Sequence, residues 1–279
     1  MAIVIDPISP VALSIFGFEL RWYALAYVAA FIIGFFLYRY WMRKPDSYIN
    51  LNKKQFDDLF TTVVLGVILG GRLGYVLFYN LSYFLQNPLK IFAVWEGGMS
   101  FHGGMLGVII GVFIFAALLQ RQKHKAHEKA GSIWDSAWHM MDLMAVVAPI
   151  GLLFGRIANF INMEVMGRVT DKPWGVVFNG YDTLPRHASP LYEAALEGLV
   201  LFIVMLCLYR YTKLRKYTGA LSGAAAMFYA VFRIICEQFR APDVQIGFLT
   251  SWGLTMGQLL SGLMFFAGAA LFAVAFRKK

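Results

Sequence analysis

Seven long apolar runs follow one another along the chain, at roughly residues 20–40, 59–79, 99–119, 138–160, 190–209, 219–239 and 253–276, separated by short polar connections. Each is long enough to cross a hydrocarbon layer that takes about 20 helical residues. No water satisfies the backbone inside such a layer, so each run is expected to close its own hydrogen bonds as an α-helix. No low-complexity tract or stretch of soluble composition interrupts them. Residues 1–279 therefore read as a single integral-membrane domain, an all-α polytopic bundle of about seven transmembrane helices. Two connections are more than loops. Residues 161–190 carry proline, Asn-Gly and a short β-branched run, which predicts a small hairpin-like cap. Residues 80–98 are aromatic and aliphatic but too short to cross, which predicts a helix lying at the membrane surface.

Composition agrees, because 59% hydrophobic and 15% charged residues exclude an ordinary soluble domain. The net charge of +9 would suit nucleic acid as a partner, but its placement argues otherwise. Lys and Arg concentrate in alternate connections, sixteen on one side against five on the other. The rich side is expected to be cytoplasmic, with the N-terminus outside and the C-terminus inside. The first residues lack the basic region and cleavage site of a signal peptide, so the first span is expected to stay. Cys207 and Cys236 fall in apolar segments with no metal or disulfide spacing and read as packing residues.

Charges inside the spans change the picture, since each costs about 2.5 to 3.5 kcal/mol on insertion scales and asks for a partner or a purpose. They are Arg72, His102, Asp142, Arg156, Glu193, Glu197, Arg233 and Glu237. Arg72, Arg156 and Arg233 lie late in outward-running spans, and His102 and Glu193 lie early in inward-running ones. All five are expected in the outer half of the membrane, whereas Asp142 and His139 lie near the inner end. Arg156 and Asn159 are three apart, and Tyr229, Arg233 and Glu237 follow at steps of four, so each set shares a helix face. A guanidinium fork can bind two phosphate oxygens together, so the set points to a phosphate-bearing ligand. For Arg72 a helix-to-helix ion pair is the plainer expectation. Glycines at four-residue steps, as at Gly66, Gly70 and Gly74 and at Gly103, Gly107 and Gly111, predict close helix approach. In "EGGMSFHGG", 96–104, flexible backbone adjoins His102.

Taken together, "GRIANFINMEVMGR" (155–168), "GGMSFHGG", "RHASPLYEA" and "YAVFRIICEQFRAPD" resemble the bacterial prolipoprotein diacylglyceryl transferases. "RWYALAY" and "GGRLGYVLFY" are similar too, and the likeness covers nearly the whole chain. That family commonly has glycine where Met163 stands, an aromatic where Met166 stands, and "HPSQLYE" where this chain has "HASPLYE". These departures spare the charged positions and bear on the shape of the outer loop.

The resemblance implies transfer of the diacylglyceryl group of phosphatidylglycerol to the lipobox cysteine of a prolipoprotein, with release of glycerol phosphate. It places the enzyme in the bacterial inner membrane, with its site toward the periplasm. Arg156 is then assigned to grip the lipid phosphate with Asn159 hydrogen-bonding beside it, and Arg233 to stabilise the departing group. Glu237 would orient Arg233, Tyr229 would add a hydroxyl, and His102 would take the thiol proton. Tyr23, Glu164 and Gly167 match positions that shape the lipid pocket, while His187, Tyr192 and Glu193 would stabilise the outer opening. The acceptor brings the nucleophilic cysteine, and the reaction calls for no metal or cofactor. Without the resemblance an anion or lipid transporter is the rival, although the inner halves of the spans are mostly apolar and no repeat is evident.

Overall fold

The computed structural model describes residues 3–15, 18–42, 51–94, 97–242 and 247–277. Arg43, Lys44, Lys278 and Lys279 of the charge pattern, Glu96 of the glycine segment and Asp243 of the last quoted motif lie outside them. Among the described residues six helices are long and apolar enough to cross a membrane, and a seventh apolar helix is shorter. The protein is a polytopic, largely α-helical membrane protein. Its chain divides into two compact units, one of Met1–Tyr38 and Asp142–Lys279, the other of Arg39–Met141.

In the first unit, strands β1 (Ile3–Ile5), β2 (Val11–Ile15) and β3 (Phe18–Arg21) precede the first spanning helix, α1 (Trp22–Met42). The spacing of apolar residues before Leu20 gave no warning of these strands. β2 and β3 form an antiparallel hairpin that runs straight into α1.

The second unit contains α2 (Lys53–Phe78), α3 (Leu81–Gln86), a 3-10 turn at Pro88–Phe92, α4 (Phe101–Lys125) and the start of α5 (Ile133–Ile161). A reciprocal capping box between Asn52 and Gln55 starts α2. The two glycine series face each other. A Cβ on Gly70 would strike the backbone of Gly103 and Gly107, and one on Gly107 would strike Gly66 and Gly70, so α2 and α4 meet backbone to backbone. On α2 the residues Leu65, Leu69, Leu73 and Leu77 are all about half exposed at four-residue steps. An apolar stripe of that length would aggregate in water, whereas hydrocarbon is its natural solvent. Where one surface helix is expected at 80–98, two short helical pieces stand instead. Asn87 precedes Pro88, and a residue before proline is driven out of the helical region.

Returning to the first unit, α5 ends at Ile161, and β4 (Val176–Phe178) pairs in parallel with β1. Residues 161–190 do form hairpin-like pairing, Val169 against Arg186, and β1 adds a strand to them. A small core of Met166, Val176, Phe178 and Ala188 lies beneath. The next span joins α6 (Ser189–Glu193), a π-helical stretch (Ala194–Val200) and α7 (Leu201–Tyr211). Then follow α8 (Ala220–Cys236) and α9 (Met256–Arg277).

At 17 residues α8 is shorter than the 219–239 expected, for identifiable reasons at both ends. Gly219 starts it at φ +89°, and Asp142 on α5 accepts 2.7 Å hydrogen bonds from the amides of Gly219 and Ser222 and from the Ser222 hydroxyl. Asp142 therefore caps the helix from a neighbouring one, which accounts for its burial as a carboxylate. At the far end the chain leaves the helix so that Arg240 can pair with Gly167. Cys236 is buried and Cys207 exposed along α7.

Candidate active site

Arg156 and Arg233, from α5 and α8, meet on the same two carboxylates. The Arg156 Nε lies 2.9 Å from Glu193 and its Nη2 3.1 Å from Glu197. The Arg233 Nη1 lies 3.0 Å from Glu193 and 3.2 Å from Glu197. Arg233 also pairs through Nη2 with Glu237, one turn on. Arg240 completes the set, 3.7 Å from Glu193 and 3.8 Å from Glu237. Tyr229, one turn before Arg233, is within electrostatic range of both arginines and of Glu193 and Glu197.

The span 189–211 delivers its carboxylates for two reasons. Its π-helical turn widens the helix just where Glu193 and Glu197 leave it, a feature frequent at functional sites. Gly198, beside Glu197, allows contact with the backbone of α5, because a Cβ there would lie 2.7 Å from the Leu153 Cα. Leu153 precedes Arg156 by about one turn, so this close approach sets the carboxylate beside the guanidinium.

Among the described residues three arginines face three glutamates, so the fixed charges of the cluster balance. What distinguishes the arginines is access. Both glutamates are fully buried, whereas the side chains of Arg156 and Arg233 keep 19% and 11% exposure, and no described residue bonds to the Arg156 Nη1. The carboxylates fix each guanidinium by one edge and leave part of its fork for a ligand. Glu193 thus belongs to the ion cluster. Its distances to the arginines are those of ion pairs, but no N–H points along them, whereas Glu197 receives directed hydrogen bonds from both.

Asn159 differs from expectation as well. Its amide donates to the Tyr23 hydroxyl at 2.6 Å and to Glu164 at 3.0 Å, which commits both hydrogens. It organises Tyr23 and Glu164 beside Arg156, and Asn162 adds a long contact of 3.5 Å to the same glutamate. Arg72 and His102 belong to the other unit. Arg72 is buried, and its guanidinium donates to the carbonyls of Lys90, Ile91, Gly97 and Gly98, where an ion pair was expected. His102 is the second residue of α4.

The family comparison bears on this geometry. The sequence profile of the prolipoprotein diacylglyceryl transferase family matches residues 10–274. A relative named phosphatidylglycerol–prolipoprotein diacylglyceryl transferase, from Paramagnetospirillum magneticum, is 46% identical over 99% of this chain and 97% of its own length. The chain belongs to this family. Relatives of the same name from Rhodospirillum rubrum and Geobacter sulfurreducens are 46% and 44% identical over 100% and 98% of the chain, and 96% and 97% of their own lengths.

Membership in the diacylglyceryl transferases gives the signature segment its meaning, and the structure finds work for each of its polar residues. Gly167 lies against the His187 backbone so closely that no Cβ would fit. Arg168 donates to the carbonyls of Arg240 at 2.9 Å and Glu237 at 3.2 Å, tying the cap to the end of α8. Arg186 donates to Asp182 at 2.5 Å, a hydrogen bond that holds the Asp182 carboxyl below its usual range, and also donates to the Gly167 carbonyl. The clasp is therefore intact above the ordinary carboxylate pKa and lost only as pH falls through the lowered one. Burial pushes the His187 imidazole down from its ordinary value, and its Nδ1 lies 3.2 Å from the Tyr192 hydroxyl. Both rings also contact Phe239.

Met163 and Val165, on either side of Glu164, have φ of +54° and +59°. Left-handed backbone costs a side-chain-bearing residue about 1–2 kcal/mol, a cost that glycine escapes. Met163→Gly relieves that strain but deletes a side chain packed against the Met166–Phe178 core, so the two effects oppose and stability is expected to change by less than about 1 kcal/mol. Thermal unfolding in detergent measures it, and a midpoint lower by several degrees would mean that the packing outweighs the strain.

Three functional neighbours were not singled out from the sequence: Arg240, Arg168 and Thr255. Thr255 donates to Glu237 at 2.8 Å while exchanging capping hydrogen bonds with Gln258 at the start of α9. The Thr-x-x-Gln spacing is a capping-box signal that could have found it. Arg240 stands three residues after Glu237, but only the reversal after α8 turns it inward.

Proposed function

We propose that the chain transfers the diacylglyceryl group of phosphatidylglycerol to the thiol of a prolipoprotein's lipobox cysteine. It is a transferase of lipoprotein biosynthesis. The reading is supported by full-length similarity to relatives of that name, and one structural observation carries it chemically. Two guanidinium groups from different helices share the same buried carboxylates while retaining exposure of their own.

In the reaction the cysteine sulfur bonds to the terminal glyceryl carbon and the bond from that carbon to the phosphate oxygen breaks. A phosphodiester leaves as a phosphomonoester bearing additional negative charge. Fixed cations aimed at that developing charge, in a site with little water, are the most effective stabilisers. Arg156 holds the phosphate, Arg233 takes the charge of the departing glycerol phosphate, and Glu237 fixes Arg233. Tyr229 supplies a hydroxyl, and Tyr23, Asn159, Glu164 and Gly167 shape the lipid pocket.

Attack needs the thiolate, and a thiol near its reference pKa of about 8.5 is mostly protonated at neutral pH. His102 is assigned the thiol proton on the strength of the family resemblance. The whole chain serves as one catalytic domain, in the bacterial inner membrane, with the N-terminus and the site outside and the C-terminus in the cytoplasm. The apolar 80–92 segment rests at the membrane surface.

Purified protein supplied with phosphatidylglycerol and a lipobox peptide in detergent is expected to add one diacylglyceryl mass to the peptide and release glycerol phosphate. Unmodified peptide, accompanied by anion flux in vesicles containing the protein, would instead make it a transporter.

A further inference from the structure

We infer that Arg72 is a positioning residue for His102. It clamps the turn that leads into the helix carrying that histidine, and it takes no part in holding phosphate. The inference rests on the assignment of His102 to the reaction.

Arg72 sits near the end of α2 and is 5% exposed. Its Nε donates to the Ile91 carbonyl at 2.8 Å and its Nη2 to the Lys90 carbonyl at 2.5 Å. Its Nη1 donates to the carbonyls of Gly97 and Gly98. The Phe84 ring covers the guanidinium carbon at 5.0 Å. A guanidinium has five donors and no acceptor, and at least four here are spent on backbone carbonyls. A side chain committed in this way has little left for an anion. It joins the 3-10 turn at Pro88–Phe92 to the Gly97–Gly98 stretch.

The second stretch leads to His102. Gly97 and Gly98 have φ of +86° and +78°, a conformation open to glycine but one that only an external hold makes unique. Two residues later the Ser100 amide donates to the Gly71 carbonyl at 2.8 Å, and the Ser100 hydroxyl accepts from the Gly103 amide at 3.1 Å as the N-cap of α4. Gly71 and Arg72 are adjacent, so neighbouring residues of α2 grip the chain on the Gly97–Gly98 side and at the helix cap. His102 lies in the first turn beyond, and its backbone position depends on both grips. Lysine would keep the charge but, as a compact ammonium with three donors, could not span four carbonyls around a plane.

Arg72→Lys tests this through two readouts on full-length protein in detergent. Hydrogen exchange is expected to accelerate in amides 97–104 and 89–92 and to stay unchanged in α8 and α9. Misplacement of a reacting group by a fraction of an ångström then lowers kcat for peptide modification about tenfold or more, with little change in the KM for phosphatidylglycerol. In a His102→Gln background the same substitution is expected to cost nothing further. Phe84→Leu, which removes only the covering ring, should loosen the same amides more weakly and keeps the test available if Arg72→Lys fails to fold. Unchanged exchange at 97–104 in a folded Arg72→Lys protein overturns the clamp. Multiplying losses in the double variant would make Arg72 act independently of His102. Full activity in His102→Gln alone would instead remove the histidine assignment while leaving the exchange result to stand or fall by itself.

Discussion

Arg156→Lys is expected to give a folded protein whose transfer rate is about 100- to 1,000-fold lower, the loss typical of removing a charge-stabilising donor from a preorganised site. Lysine keeps the positive charge that Glu193 and Glu197 require, so the buried carboxylates are not left uncompensated. It cannot touch both carboxylates and a phosphate at once, as a planar fork does. Arg233→Lys should behave alike, because Arg233 also spans Glu193, Glu197 and Glu237. Alanine at either position is expected to abolish transfer and also to lower stability, so lysine is the cleaner test of chemistry. The measurement is the rate of peptide mass gain alongside a thermal unfolding curve. Normal modification by both lysine variants would remove the phosphate-gripping role and leave the arginines as structural ion pairs.

Glu197→Ala is expected to have the largest effect on stability, about 3–5 kcal/mol, because it removes the one carboxylate among the described residues that receives directed hydrogen bonds from both arginines. The cost comes mainly from what remains, two guanidinium groups facing each other in a buried place with Glu193 alone between them. A folded domain keeps only about 5–15 kcal/mol in total, so the variant should unfold well below the wild-type temperature or fail to accumulate. Its melting curve and its monodispersity in detergent decide the matter. A melting point within a degree or two of wild type would show that the cluster contributes little to the fold. Replacing both charges, as in Glu197→Leu with Arg156→Met, should recover part of the stability but no activity, since packed apolar groups often substitute well for buried ion pairs.

Much of the architecture was legible in the apolar runs. In a bilayer every span must satisfy its own backbone, so length and hydropathy alone place α9 closely, whereas α2 starts at Lys53 instead of 59 and α4 runs on to Lys125 instead of 119, because polar residues extend both helices past the apolar run. The glycine steps on α2 and α4 likewise foretold the backbone contact they make, because a small residue every turn leaves a groove. The strands before α1 were not legible, since β1 acquires its hydrogen-bonding partner only from β4, more than 170 residues away. The break at Asn87 and Pro88 was written in the chain but outweighed by the hydrophobicity around it.

For the site, the sequence by itself determined which charges the membrane would have to accommodate. Ionisable residues in apolar runs are costly wherever the fold puts them, and the steps linking Tyr229, Arg233 and Glu237 fix a shared face before any packing occurs. What it could not determine was who pairs with whom. Tertiary structure gave Arg156 and Arg233 the same two glutamates, spent Arg72 on carbonyls, turned Asn159 toward Tyr23 and Glu164, and brought Arg240 and Thr255 into the cluster. Pairing depends on distances of a few ångströms between helices far apart in sequence, and those distances are set by where a Gly198 or a Gly167 lets two backbones touch.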